Sequence, residues 1–148
     1  PEKDRPVVIH QAGVKHIEAL KANYVKHGVE ADCRAFIENM DEMYAWADFV
    51  ICRAGAMTVA ELSAVGLASL LVPFPFAVDD HQTTNAAYLA NHGAAYLVQQ
   101  KELTVEKLVN ILTALTREQC LSMANKARAL GKPEATVDVA GVCMEVAV

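Results

Sequence analysis

Close cysteine pairs, basic blocks, nucleotide-loop fingerprints and long apolar runs are all missing from this 148-residue chain. The cysteines stand at 33, 52, 120 and 143, with no C-x-x-C or other close pair. That spacing fits neither a zinc site nor a disulfide framework, and it reads as reduced core thiols in a cytosolic protein. Thirteen basic against eighteen acidic residues give a net charge of −5 without a cluster of positive charge. The electrostatic footprint of a nucleic-acid binder is therefore missing, and duplex DNA or RNA is not an expected partner. The longest mainly apolar run, Ala64 to Val78, contains two prolines and a glycine and is shorter than the roughly 20 residues of a spanning helix. No membrane span and no preceding signal peptide are expected. Neither G-x-x-x-x-G-K-[ST] nor G-x-G-x-x-G occurs, so a P-loop and a dinucleotide fingerprint drop out as well.

What is present is a chain 53% apolar, enough to bury a core of its own and of the size of one domain. Its periodicity alternates. VVIH (Val7 to His10) reads as a buried strand, and helical spacing follows over 14–27 at Val14, Ile17, Leu20 and Tyr24. CRAF is a weaker strand candidate, followed by a short helix NMDEMYAWA with Asn39 as N-cap. DFVIC is the next strand, TVAELSAVG the next helix, stopped by Gly66. SLLVPF is a fully apolar strand, HQTTNAAYLANHG a helix ending on glycine, and AAYLV the last strand candidate. Helices alone are expected near 104–115, 117–130 and 134–147. Strand-helix alternation with near-continuous apolar strands predicts an α/β fold, a doubly wound parallel sheet covered on both faces. In such sheets ligands bind beyond the carboxyl ends of the strands, so function is expected in the loops after VVIH, CRAF, FVIC and LLVPF.

Each loop admits a bland and a functional reading. His10 is a structural group or a catalyst, without a second ligand at metal spacing. Phe36 is core packing, or one wall of a slot for a flat base whose edge meets the main chain of Ile37. In RAGAMTVAE, Thr58 and Glu61 have capping-box spacing, while Gly55 and the helix end after it offer N–H groups and partial positive charge to a phosphate. Arg53 adds charge there or braces the loop by bonding to carbonyls. Asp79 or Asp80 caps the next helix, on which His81, Gln82 and Asn85 share one face near the N-terminus. A dense set of neutral hydrogen-bonding groups at a strand end suits a sugar better than an ion.

The run ADFVICRAGAMTVAELSAVGLASLLVPF, with DDHQTTNAAYL after it and VVIHQAG and FIENMDEMYAWAD before it, resembles the C-terminal half of the MurG family. These are bacterial transferases that move N-acetylglucosamine from UDP-N-acetylglucosamine (UDP-GlcNAc) onto lipid I, making lipid II for peptidoglycan. The resemblance covers almost the whole chain in one register. It implies the donor-binding, Rossmann-like domain of a GT-B glycosyltransferase, spanning 1–148 with C-terminal helices over 104–148. Carried over by position, Phe36 and Ile37 sit at the uracil, and Glu61 takes the ribose hydroxyls. Gly55, Ala56, Met57 and Thr58 form the helix end beside the diphosphate, and Arg53 is a further candidate for its charge. His81, Gln82 and Asn85 lie at the sugar hydroxyls. That register moves the helix start back toward Gly55 and Ala56, leaving Glu61 in the second turn.

Three departures bear on the resemblance. His81 stands where some relatives have a second glutamine. Gly66 is followed by Leu67 and Ala68, where relatives usually have a proline. The family's donor domain also begins with a strand and a Gly-rich turn before HQAG, so the chain is expected to be a fragment lacking that unit and the acceptor domain. The general base, the lipid I acceptor site and the surface for peripheral association with the cytoplasmic face of the inner membrane are then expected on the missing domain. No cofactor or metal is implied. Two alternatives stand beside this one: a stand-alone donor subunit of a two-chain transferase, and a non-catalytic nucleotide-sugar-binding module using the apolar helix from Ala135.

Overall fold

The computed structural model describes residues 5–147, apart from the side chain of Val78; the ends of the expected 1–148 span lie outside the described residues. Five strands alternate with helices in the order β1 (Ile9–Gln11), α1 (Ile17–Lys26), β2 (Asp32–Arg34), α2 (Met40–Trp46), β3 (Val50–Cys52), α3 (Ala56–Val65), β4 (Ser69–Leu71), α4 (His81–Ala90) and β5 (Ala95–Leu97). Three helices follow, α5 (Val105–Ala114), α6 (Arg117–Leu130) and α7 (Ala135–Val146). Single 3-10 turns at Val78–Asp80 and Gln100–Glu102 were not expected from the sequence. The chain divides into two compact units, Pro1–Met43 and Tyr44–Val148.

In the first unit β1 and β2 pair in parallel, Ile9 opposite Asp32 and Gln11 opposite Arg34. The ladder continues past the strands, since the Ala12 and Gly13 amides donate to the carbonyls of Arg34 and Ala35 at 3.1 and 3.0 Å. The expectation that VVIH is a buried strand is corrected here. The strand begins at Ile9, where Ile9 is half-buried and His10 and Gln11 are exposed. The reason is its single partner: among the described residues no strand pairs along its other edge.

In the second unit β4 lies between β3 and β5, all parallel, with Cys52 opposite Leu71 and Leu71 opposite Leu97. Pleating sends successive side chains to opposite faces. Leu71 joins Ala54, Leu62, Ala86, Leu89 and Ala127 on one side, and Leu70 joins Val72 and Val98 over Leu108 and Ile111 on the other. Both faces of this sheet are covered, as an apolar β4 requires. Burying each leucine stabilises by about 1.5–3 kcal/mol.

Helix boundaries follow local chemistry. α3 begins with Gly55 in extended conformation as N-cap, without a side-chain cap, and stops at Gly66, whose φ of 71° is left-handed. Thr58 and Glu61 are therefore interior residues and no capping box forms, as the family register implied. α6 does carry one: Thr116 Oγ1 accepts from the Gln119 amide at 3.1 Å, and Gln119 Oε1 accepts from the Thr116 amide at 2.9 Å. Asp80 precedes α4 with φ 51°, and its carboxylate accepts from the Thr83 hydroxyl at 2.6 Å in place of a backbone N–H.

Candidate functional site

In the second unit the loops after β3 and β4 are fastened to one another by side chains. Ala54, fully buried, follows β3 by two residues. Its N–H donates to Gln82 Oε1 at 3.3 Å, and its carbonyl accepts from Asn85 Nδ2 at 3.1 Å. The same Gln82 oxygen accepts from the Phe74 amide at 2.9 Å. Both amides belong to the first turns of α4, so one helix end holds both loops.

Arg53 resolves toward bracing. Its Nη1 donates to the carbonyls of Val72 and Pro73 at 3.3 and 3.1 Å, its Nη2 to Gln100 Oε1 at 2.7 Å, and the guanidinium lies 5.5 Å from the centre of the Phe74 ring. Around it Gly55, Ala56, Met57 and Thr58 form the first turn of α3 with its cap. Met57 is largely exposed, and Thr58 Oγ1 is the atom that a Cβ on Gly55 would meet, at 3.6 Å. His81 opens α4 and is exposed. Ala56 and Asn85 also border a cavity of about 740 Å³ that runs between α3 and α4 toward Tyr88, Leu130 and Lys132.

Glu61 is exposed and fixed from one side: the Tyr44 hydroxyl donates to its Oε2 at 2.9 Å. Burial, then the bond to Glu61, push the Tyr44 phenol well above its ordinary range, so it remains a donor at physiological pH. Burial likewise pushes the Cys52 thiol up to about 11, which keeps it an inert thiol. Among the described residues no group of three or more His, Cys, Asp or Glu side chains is placed to hold a metal ion.

The first unit carries the other two candidates. Phe36 projects into solvent with 69% of its surface exposed, so the core-packing reading is not what the structure shows. The Ile37 amide donates to Gln11 Oε1 at 2.7 Å. His10 takes a structural place, its Nδ1 3.1 Å from the Tyr24 hydroxyl with the rings edge to face.

Sequence reasoning missed Gln11, Tyr44 and Gln100. Each acts over 17 or more positions of chain, where no local spacing signals the partner.

The chain belongs to the glycosyltransferase family 28 C-terminal domain family, whose description matches residues 2–139. It is 61% identical, over 99% of its own length and 41% of the relative's, to the UDP-N-acetylglucosamine--N-acetylmuramyl-(pentapeptide) pyrophosphoryl-undecaprenol N-acetylglucosamine transferase of an Azoarcus species. Identity to the protein of that name from Dechloromonas aromatica is 57%, with the same 99% and 41% covered. The crystal structure of Acinetobacter baumannii MurG superposes with a TM-score of 0.90 at 40% identity, over 97% of this chain and 45% of that one. The chain thus spans about two fifths of the length of these relatives.

Proposed function

We propose that this chain is the UDP-GlcNAc-binding part of an inverting transferase that adds N-acetylglucosamine to lipid I, forming lipid II for peptidoglycan. The identity of 61% across 99% of the chain, with a relative whose name states that donor and acceptor, carries this reading. It takes residues 1–148 as one donor domain that lacks its first strand–helix unit. Phe36 and the main chain of Ile37 then take the uracil, Glu61 the ribose hydroxyls, Gly55 to Thr58 the diphosphate, and His81, Gln82 and Asn85 the sugar. Local geometry supports several of these roles. Phe36 is exposed as a stacking wall must be, the first turn of α3 has no side-chain cap, and Tyr44 holds one oxygen of Glu61 so that the carboxylate is oriented before a ribose arrives.

In the reaction the acceptor hydroxyl attacks the anomeric carbon, the bond to the diphosphate breaks, and its electron pair leaves on the uridine diphosphate. Such a displacement needs a base at the acceptor and charge stabilisation at the leaving group. This chain supplies the second, through the N–H groups of α3 and its partial positive charge. Arg53 acts from behind by holding the loop. The base, the lipid I site and the peripheral contact with the cytoplasmic face of the membrane are assigned to the part of the relatives' length outside this chain. No helix among the described residues is long and apolar enough to cross a membrane.

Calorimetric titration tests the reading: UDP-GlcNAc should bind and ADP-glucose should not. Equal binding of the two, or binding of neither by a folded chain, overturns it. Glu61→Ala should weaken the uridine ligand by about 1–3 kcal/mol, the cost of losing a charged hydrogen bond. An effect on stability with no effect on affinity would make Glu61 a structural residue.

A further inference from the structure

Ala54 is the last residue before the cap of α3, and neither it nor Gly55 has a side chain able to anchor that corner. Its peptide groups are nonetheless fully covered, and both are satisfied by amides of α4, the N–H by Gln82 and the carbonyl by Asn85. The Gln82 oxygen accepts in addition from Phe74, which ties the loop after β4 to the same atom. A side-chain oxygen that receives two N–H donors is committed to them, and its amide nitrogen must point elsewhere. Gln82 and Asn85 are thus divided residues: one half of each amide grips the backbone, and only the other half is left for a ligand.

From this geometry we propose that Gln82 and Asn85 are positioning residues for the diphosphate end of the site, setting through the Ala54 peptide where the first turn of α3 stands. The proposal rests on the donor-domain reading for the identity of the anion, though not for the clamp itself. Its consequence is that these two residues govern affinity for uridine diphosphate alone, with no sugar attached. A residue that only touched the sugar would have no such effect. Losing the Gln82 oxygen leaves two donors without that partner: Phe74 is partly open to solvent, but Ala54 is fully covered, and there an unmade bond costs more than an average bond contributes.

The test uses the whole chain with Gln82→Met and Asn85→Leu, which keep size and remove the bonds, and Gln82→Glu, which keeps an acceptor oxygen. Amide hydrogen exchange is followed without ligand, and uridine diphosphate and UDP-GlcNAc are titrated separately. In Gln82→Met, exchange at Ala54, Phe74 and the first turn of α3 should quicken about tenfold while amides in β4 and β5 hold. Affinity for uridine diphosphate should fall about five- to tenfold, on the scale of a hydrogen bond or somewhat more. Gln82→Glu should restore the exchange protection. Unchanged exchange at Ala54 and Phe74, or acceleration spread evenly through β4 and β5, overturns the clamp. So does a Gln82→Met chain that binds uridine diphosphate as the parent does and loses only the sugar-dependent part. If the parent binds no uridine diphosphate at all, the donor-domain reading fails and exchange alone decides the clamp.

Discussion

Between Arg5 and Met43 no residue is buried, whereas the unit that begins at Tyr44 closes around Leu62, Leu70, Leu71 and Leu89, all fully covered. Both units use the same plan of parallel strands with loops at their carboxyl ends. They hold those loops by different means. After β2 the loop is held by continuing the backbone ladder to Ala35 and by the Gln11 side chain on Ile37. After β3 and β4 the loops are held by a packed core beneath and by Arg53, Gln82 and Asn85 above. A fixed helix end suits a charged diphosphate, whose stabilisation depends on donors already in place. On the proposed reading, a flat base stacked on the exposed Phe36 ring beside the main chain of Ile37 asks for less.

The sharpest way to break this comparison is a large-to-small change in each unit. Leu71→Ala should cost about 2–5 kcal/mol in urea unfolding, the range for emptying a packed leucine site. Ile9→Ala, at a half-buried position with one neighbouring strand, should cost well under half of that. Equal losses would mean the first unit is held by packing after all.

Two left-handed glycines give the next contrast. A Cβ on Gly66 (φ 71°) would stand 2.9 Å from the Arg128 Cβ and 3.1 Å from the Ala124 carbonyl oxygen, whereas one on Gly28 (φ 59°) meets nothing within 4 Å. Alanine at either position carries the left-handed penalty of about 1–2 kcal/mol. Gly66→Ala adds a collision between α3 and α6, so its melting midpoint should drop visibly further than that of Gly28→Ala.

The smallest effect is on pH dependence. Tyr44 and Tyr24 are both raised by burial first, Tyr44 further, with the bond it donates to Glu61 adding to its deeper burial. A raised phenol contributes stability that is fully present below its unfolded value of 10.0 and is lost as pH climbs through the folded value. Alkaline unfolding above about pH 10 should therefore lose part of its pH dependence in Tyr44→Phe, and less of it in Tyr24→Phe.

Much of the fold was legible because the signals were local. The helices from α3 to α7 lie within a few residues of where periodicity and the glycine stops put them, and apolar SLL is the fully buried central strand. The cap of α3 at Gly55 came from the family register, against the spacing of Thr58 and Glu61. Burial of VVIH was misjudged, because an apolar run does not reveal how many strands will pair with it. At the candidate site the residue types were legible and their partners were not. The sequence allows Arg53 either phosphate or carbonyls, and its three acceptors lie 19 to 47 positions away. The family register points Gln82 at the sugar, and nothing in HQTTN shows that its oxygen faces Ala54 and Phe74.

Asp79 and Asp80, consecutive and both left-handed at φ 52° and 51°, limit how this corner of the chain can drift over generations. Glycine, asparagine and aspartate tolerate that backbone, while branched residues such as valine or isoleucine do not. Single-base changes from an aspartate codon reach asparagine and glycine directly, so the pair can wander among forgiving neighbours without disturbing the entry into α4. A valine is equally close in the code and should be purged. The two adjacent acids thus preserve a bend in the main chain, and a library randomised at both positions should return that narrow alphabet among its folded members.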